Sequence, residues 1–299
     1  MNQKQQEQLQ QGRQLINQGK YQRAIDILQP LNEQTADYQV NRALTEALYH
    51  DGQVQLAIKI AEDHVEDYLQ SQGGAMQLVT LELAGQQFIT ARRQAAFVPK
   101  WQAELLKQVE AAEAKAQQEM GTSLNAKLKS FYHLGDGSFN KQRQRLIEAE
   151  QLPLSMYLTG ALFLLRDPFT KPVIKSSLLE TLQPLKIDRQ VTILWLDDHE
   201  YRLNLRDLQP LTKVKEVVAA QQLIDEKYGQ SDPSTLSAVN DQFQLQMIFL
   251  YPFINKAMVD PAAWVTAMTS FGKLVSPSKA VNDALKWQRK IQRLVDQMR

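Results

Sequence analysis

The densest group of side chains that could bind a metal ion is Asp197-Asp198-His199-Glu200. Carboxylates suit hard cations, and an imidazole suits transition metals. Consecutive residues in a tight turn point in different directions, however, and the sequence offers no second group of ligands to complete a coordination shell. We therefore expect a solvated turn here and predict no metal site.

A second candidate is the segment Gly135-Asp136-Gly137-Ser138, which precedes a predicted helix. Backbone donors at the start of a helix can bind a phosphate group. A P-loop also needs a preceding strand and a Lys followed by Ser or Thr, and both are missing from this segment. We expect a flexible linker between domains.

Catalytic residues are not indicated by any motif. The four histidines, at positions 50, 64, 133 and 199, have no serine or acidic partner at a motif spacing. Triads are assembled in space, so the sequence alone does not exclude one. The absence of cysteine excludes disulfides and thiolate metal sites. We predict a protein that is not an enzyme and that uses no cofactor.

The elements that would carry a binding surface are helical hairpins, which a sequence repeat reveals. A small residue, a large apolar residue and an alanine recur at the same spacing, with a period of 33 residues between the first two copies and an imperfect third copy. The three sets are Gly19, Tyr21 and Ala24, then Gly52, Val54 and Ala57, and finally Gly85, Phe88 and Ala91. Such a period is typical of helix-turn-helix solenoids, whose hairpins must stack to bury their apolar faces.

This pattern resembles the tetratricopeptide repeat, clearly over residues 5–70 and more weakly to about residue 118. Gly12 occupies the small position of the first helix. Pro30 departs from the family pattern because it falls inside the second helix, where it should end or kink that helix near Gln29. The resemblance implies a mainly α fold, a right-handed α-solenoid of helical hairpins.

The resemblance also implies a binding surface, the groove lined by the first helix of each repeat. Tetratricopeptide domains commonly hold an extended peptide or a partner helix there. The inward-facing positions carried over to this sequence are Arg13, Asn17, Arg42, Glu46, Tyr49 and His50. The set that chaperone-binding members use for a C-terminal carboxylate is not matched, because Leu9 replaces its leading Lys. The other interpretation of the six residues is an ordinary solvated face.

The second half of the chain predicts a separate helical domain. We place residues 1–120 in the repeat domain and residues 121–299 in a domain whose helices resemble HEAT-type hairpins, with the boundary between about 120 and 140. Ser123 is the expected N-cap of a helix over 124–133. The whole arrangement resembles tetratricopeptide-type proteins of Gram-positive bacteria.

A small β-hairpin near residues 190–206 interrupts the helical pattern. Apolar residues alternate along 191–196 and again along 201–205, on either side of a short polar turn. Two isolated strands are marginally stable in water. We therefore expect one face to pack on flanking helices with Trp195 buried, and the other face or an edge to contact a second copy or a partner.

Composition limits the remaining classes. The 299 residues carry a formal net charge of +1, with an acidic excess in residues 1–120 and a basic excess after them. A nucleic-acid-binding protein usually has a stronger basic field, so the charge argues weakly against that class. Nucleic-acid binding through basic helices of the C-terminal two-thirds is our alternative hypothesis. The longest apolar runs are too short to span a bilayer, and the polar N-terminus lacks the apolar core of a signal peptide. We expect a cytoplasmic scaffold that binds a protein or peptide.

The last predicted helix has an apolar stripe, with Trp287, Ile291 and Leu294 bordered by basic residues. Such a helix can lie on an anionic membrane. The interpretation that we favour is a capping helix of the solenoid whose basic residues face water.

Overall fold

The structure is a computed structural model that describes residues 1–229, 233–269 and 278–298. The protein is mainly α-helical, and its C-terminal half contains a two-stranded antiparallel sheet, as the sequence predicts. The residues form two compact units, and each unit is built from two segments of the chain. The first unit contains 1–131 and 147–159, and the second contains 132–146 and 160–299.

The first nine helices follow one another with short connections. They are α1 Gln3–Asn17, α2 Tyr21–Thr35, α3 Tyr38–His50, α4 Val54–Ala61, α5 Val65–Tyr68, α6 Gln72–Ala84, α7 Phe88–Phe97, α8 Gln102–Glu119 and α9 Gly121–Tyr132. Helices α1 and α2, α3 and α4, and α6 and α7 form three successive hairpins, each of which packs one helix against the next.

The three hairpins close with the same backbone turn. In each, one residue is left-handed, with φ of 69° at Gly19, 82° at Gly52 and 62° at Gln86. The N–H of the next residue donates to the carbonyl five residues earlier, at 2.9 Å in the first two turns and 2.8 Å in the third. This is the hydrogen bond of a Schellman cap, which glycine favours because it lacks a Cβ.

The third turn differs from the first two, because its left-handed residue is Gln86 and not the glycine of the repeat, Gly85. Gly85 serves packing instead: a Cβ at this position would lie 2.4 Å from Cδ1 of Ile58. The left-handed residues of the second and third turns are thus 34 residues apart, one more than those of the first and second turns. The sequence shows a glycine near the turn but does not show which constraint it satisfies.

The small residues of the repeat lie where the helices come close, as predicted. Ala24, Ala57 and Ala91 have no exposed surface. A Cβ at Gly12 would lie 2.6 Å from Cδ2 of Leu28, so α1 and α2 can approach only because this position carries no side chain. Small residues at such contacts allow the large neighbours to fill the space at native packing density.

The structure places no helix boundary at Pro30 or at Ser123. Helix α2 continues through Pro30 to Thr35, because Pro30 is exposed and the carbonyl that it leaves without a donor can bond to water. Ser123 lies inside α9, which begins at Gly121 immediately after the end of α8. The N–H of Leu124 donates to the carbonyl of Met120 at 3.0 Å, so the new helix starts without a side-chain cap at Ser123.

The remaining elements follow in chain order. The helices are α10 Phe139–Ala149, α11 Leu154–Arg166, α12 Pro172–Leu182, α13 Lys215–Tyr228, α14 Pro233–Leu250, α15 Ile254–Ala257, α16 Pro261–Thr269 and α17 Lys279–Asp296. The strands β1 Gln190–Leu194 and β2 Glu200–Asn204 lie between α12 and α13. The sequence pattern also predicts a helix from Pro261 to Leu274 and a last helix that Pro277 or Ser278 opens and that ends at Arg299. Ser278 is the N-cap of α17, whereas residues 270–274, Pro277 and Arg299 lie outside the described residues.

The β-hairpin packs on helices through the residue just after β1. Val191 pairs with Leu203 and Ile193 with Tyr201 in an antiparallel register. Trp195 is only 6% exposed, and its ring lies 5.7 Å from that of Phe253 and 5.2 Å from that of Trp287 on α17. The prediction that one face is covered and that Trp195 is buried is confirmed.

The apolar stripe of α17 faces its own unit. Ile291 is buried, and the Trp287 ring contacts that of Trp195. These contacts match the capping helix that we favoured over a helix lying on a membrane. Among the described residues, no helix has the length and apolar character needed to cross a bilayer.

Candidate binding surface on the first helices

Four of the six predicted groove residues surround one cleft in the first unit. Arg13 and Asn17 come from α1, and Arg42 and Glu46 come from α3, the first helices of adjacent hairpins. Ile16 and Ala43, both buried, also line the cleft, whose volume is about 330 Å³. The surface combines guanidinium, amide and carboxylate groups over an apolar base.

The other two predicted residues do not line this cleft. The His50 ring stacks on that of Tyr21 with the ring centroids 5.0 Å apart, and the Tyr49 ring meets His50 edge-on at 5.2 Å. Tyr21 opens α2 in the first hairpin and His50 ends α3 in the second, so these rings pack between the two hairpins. We attribute to them a role in packing the first hairpin on the second.

Both arginines of the cleft are held by neutral partners. Arg13 donates from Nη2 to Oε1 of Gln39 at 2.7 Å, and Arg42 donates from Nε to Oε1 of Gln77 at 3.0 Å. Over the described part of the chain, neither guanidinium forms an ion pair with a carboxylate. Each guanidinium therefore has a neutral hydrogen-bond partner and keeps its positive charge without a carboxylate in contact.

A buried hydrogen-bond network fixes Gln77, which in turn orients Arg42. Nε2 of Gln77 donates to the carbonyl of Arg42 at 2.9 Å and to Oγ1 of Thr45 at 3.1 Å. The hydroxyls of Thr45 and Tyr68 share a hydrogen bond of 2.7 Å, and Tyr68 also donates to Oδ1 of Asn41 at 3.1 Å. Burial raises the pKa of Tyr68, which keeps its hydroxyl protonated. Fully satisfied networks of this kind are rigid.

Side-chain hydrogen bonds connect successive first helices in a row. Gln39 accepts from Arg13 between α1 and α3, Gln77 accepts from Arg42 between α3 and α6, and Gln72 donates to Glu104 at 2.7 Å between α6 and α8. The polar surface thus extends beyond the predicted groove. Sequence reasoning missed these partners because glutamine is frequent throughout the first unit, so no spacing distinguishes them.

Three of the four candidate metal ligands at the hairpin turn contact residues outside the group, whereas His199 contacts Asp197, with its Nδ1 2.8 Å from the Asp197 carbonyl. Asp197 accepts a 2.6 Å hydrogen bond from the hydroxyl of Tyr201, while Glu200 accepts from Arg166 at 2.9 Å. Asp198 has a φ of 65°, and its carboxylate lies 3.7 Å from Nζ of Lys290. Within the described ranges, no group of three or more metal-binding side chains is gathered in one place.

The segment 135–138 is closed by a side chain, which corrects the expectation of a flexible linker. Nε2 of Gln142, a residue only 1% exposed, donates to the carbonyls of Gly135 at 3.2 Å and Gly137 at 3.0 Å. A Cβ at Gly135 would lie 2.8 Å from a carboxylate oxygen of Asp167. A negative charge this close disfavours a phosphate, so the structure does not support the phosphate interpretation.

Two histidines have acidic neighbours that the sequence analysis did not predict. Nδ1 of His64 lies 2.8 Å from Oδ2 of Asp67, and Nδ1 of His133 lies 2.9 Å from Oδ2 of Asp136. Both pairs are separated by three residues along the chain, so they are contacts of one local turn. We assign them a local structural role.

Comparison of the chain with known protein families, with curated proteins and with solved structures gave no match. The tetratricopeptide resemblance therefore stays a prediction from the sequence. The case for the cleft depends on the geometry of Arg13 and Arg42.

Proposed function

We propose that the protein is a non-enzymatic scaffold that binds a peptide or protein partner along the first helices of the first unit. The observation that supports this function is the pair of arginines at the cleft, each oriented by a neutral amide and each without a carboxylate partner among the described residues. Guanidinium groups held in one direction lose little entropy when they bind a planar anion.

The cleft indicates the chemistry of the partner. Arg13 and Arg42 suit an acidic side chain, because hydrogen bonds between a guanidinium and a carboxylate are charge-assisted and often bidentate. Asn17 can bond to the backbone of an extended segment, and Glu46 can accept from one of its donors. The partner that we propose is an extended peptide segment with at least one Asp or Glu.

Selection from a random peptide library on the full-length protein tests this proposal. The affinities of the selected peptides are then measured by fluorescence anisotropy against the wild type, Arg13→Ala and Arg42→Ala. Each substitution should weaken binding by roughly 10- to 100-fold, the effect of losing about 1.5–3 kcal/mol of charge-assisted hydrogen bonding.

Arg23→Ala is the matched control, because Arg23 is exposed on α2 and does not line the cleft. Its affinity should equal that of the wild type. Equal loss in all three variants would mean that the peptides recognise overall charge, and no loss in any of them would place binding elsewhere. A salt-dependent affinity for single-stranded or duplex DNA that exceeds the peptide affinity would instead support the nucleic-acid alternative.

Two finer expectations stay predictions. Self-association through the β-hairpin would require its open strand edges to pair with a second copy. Sedimentation of the full chain over a range of concentrations measures that directly. Cytoplasmic location is tested by fractionation of cells.

A further inference from the structure

A second concave site lies entirely within the second unit. It has a volume of about 350 Å³ and lies among α12, the β-hairpin and α17. Its lining is largely apolar and aromatic and includes Phe169, Trp195 and Tyr251. A cavity of this size is at the small end of the range that holds low-molecular-weight ligands.

A buried lysine lines this cavity. Lys175 on α12 is 7% exposed, and its ammonium donates to the carbonyl of Leu194 at 3.0 Å, a residue that also lines the cavity. An ammonium has three donors, and over the described residues this is the one hydrogen bond that Lys175 makes. A buried charge without an ion-pair partner is unfavourable, and a bound anion would relieve that cost.

Asp167, the acidic group whose charge acts on Lys175, already has hydrogen-bond partners. The carboxylate of Asp167 accepts from the hydroxyl of Thr170 at 2.7 Å and from the N–H of Phe169 at 3.1 Å. Burial lowers the pKa of Lys175 to about 8, and the charge of Asp167 only partly opposes that effect. Lys175 is therefore still mostly charged at neutral pH but lacks a counter-ion in contact with it.

The other polar groups of the cavity add positive charge and donors. Lys171 and Lys290 line it, and the one lining carboxylate, that of Asp198, is 92% exposed and pairs loosely with Lys290. The indole N–H of Trp195 is buried and has no acceptor among the described residues. Three lysines thus line an apolar space that only one carboxylate borders, within the part of the chain that the structure describes.

We propose that this cavity binds a small organic carboxylate with an apolar body, with the carboxylate on Lys175 and the apolar body against Phe169 and Trp195. A single buried ammonium balances one negative charge, which suits a monoanion better than a phosphate. The largely apolar lining provides contacts for a hydrocarbon or aromatic group that a bare inorganic anion would leave unused. The site is independent of the cleft in the first unit.

Calorimetric titration of the full-length protein tests the proposal with two acids, octanoate and 4-phenylbutyrate, and their neutral counterparts, octanol and 4-phenylbutanol. The acids should bind with a Kd of roughly 1 mM or tighter, at least tenfold more tightly than the alcohols. Inorganic phosphate should not compete with them at equal concentration. Phosphate binding as tight as that of the acids would overturn the proposed ligand class.

Lys175→Met removes the charge while keeping most of the side-chain volume. It should therefore lower the affinity for the acids at least tenfold and leave the affinity for the alcohols unchanged. Lys279→Met, at an exposed position of α17 that does not line the cavity, is the matched control and should leave all affinities unchanged. If the acids bind Lys175→Met as tightly as the wild type, or bind no more tightly than the alcohols, the site is wrong.

Phe169→Ala provides a second variant that does not threaten folding, because Phe169 is 73% exposed. This substitution should lower the affinities for the acids and for the alcohols by the same factor, because it removes only an apolar contact. An unchanged affinity for every probe in this variant would place the ligand outside the cavity, whatever the behaviour of Lys175→Met.

Discussion

At the residue scale, the glycines of the first unit serve different physical needs. Gly19 and Gly52 permit left-handed turns, with no atom close enough to crowd a side chain. Gly12 has ordinary helical geometry and is required because Leu28 occupies the space of its missing side chain. Substitution distinguishes these roles. A side chain at a turn glycine is disfavoured by the positive φ of the backbone, whereas a side chain at Gly12 is disfavoured because it would clash with Leu28.

Gly12→Ala should lower the free energy of unfolding by about 1–3 kcal/mol, because the new methyl group would lie 2.6 Å from Leu28 and force the helices apart. Gly121→Ala is the control: it lies in α9 with no atom within 4 Å of the added Cβ. The control should be neutral or stabilising by up to about 1 kcal/mol, because alanine favours helix. Urea denaturation measures both. A neutral Gly12→Ala would mean that α1 and α2 do not pack as described.

Glu82 gives a pH-dependent prediction. It is 3% exposed, burial raises its pKa to about 8, and only one of its carboxylate oxygens has a hydrogen-bond partner among the described residues, at 3.3 Å from Gln94. Because the folded pKa exceeds the unfolded one, the protein binds this proton more tightly when folded. The contribution of Glu82 to the free energy of unfolding is fully present below about pH 4.5 and is lost as the pH rises to about 8.

Glu82→Gln should therefore have little effect near pH 4.5 and should stabilise the protein by a few kcal/mol (roughly 1.4 per pKa unit) at pH 8.5, where the wild type must ionise a buried carboxyl or retain its proton. Denaturant unfolding at the two pH values measures the difference, and Glu66→Gln, at an exposed position, is the control. A stability gain that is the same at both pH values would contradict the buried, protonated state of Glu82.

Only some residues of the cleft could be predicted from the sequence, because the repeat shows positions along a helix and does not show which helices lie side by side. The repeat placed Arg13 and Arg42 on the first helices of adjacent hairpins because their positions follow from the turn glycines. It could not locate Gln39 and Gln77, because their role depends on which helix lies beside which arginine. It also assigned Tyr49 and His50 to the groove; the His50 ring stacks on that of Tyr21, and the Tyr49 ring meets His50 edge-on, so neither ring lines the cleft.

At the element scale, one carboxylate joins three helices of the first unit. Glu113 on α8 accepts two hydrogen bonds of 2.8 Å from Arg92 on α7, and its Oε1 also accepts from the N–H of Leu154 at 3.1 Å, where α11 begins. The Glu113 and Arg92 side chains are 10% and 11% exposed. A carboxylate at the start of a helix also interacts favourably with the helix dipole.

Glu113→Ala should reduce the free energy of unfolding by about 3–5 kcal/mol, because it leaves a buried guanidinium and a helix N-terminus without their acceptor. Glu119→Ala removes an exposed partner of Lys115 on the same helix and should cost less than about 1 kcal/mol. Thermal and urea unfolding compare the two. Similar small losses in both variants would show that the ion pair with Arg92 is open to solvent.

Most elements could be predicted from the sequence, but their boundaries and partners could not. The helical hairpins and the β-hairpin follow from hydrophobic periodicity and turn residues. Pro30 was expected to end or kink its helix; the helix continues to Thr35, and the sequence does not show that Pro30 faces water. Segment 135–138 has the composition of a linker, and only the buried amide of Gln142 shows that it is held in place.

At the scale of the whole molecule, each of the two units has its own concave site. The cleft of the first unit is polar and presents two arginines, whereas the cavity of the second is mainly apolar around one buried lysine. The sequence did not predict that each unit is built from two segments, because contacts between distant parts of the chain leave no local pattern. Nor did it predict the cavity, whose lining comes from residues separated by more than a hundred positions.

The central claim is that Arg13 and Arg42 bind an acidic group of a peptide, and a double-mutant cycle tests it most directly. Arg42→Ala is combined with replacement of the acidic residue of a selected peptide by Asn or Gln, and the four affinities are measured. We predict a coupling free energy of at least about 1 kcal/mol between the two positions, and none with Arg23→Ala in place of Arg42→Ala. If the effects of Arg42→Ala and of the peptide substitution are additive, as those of Arg23→Ala should be, the proposed binding surface is contradicted.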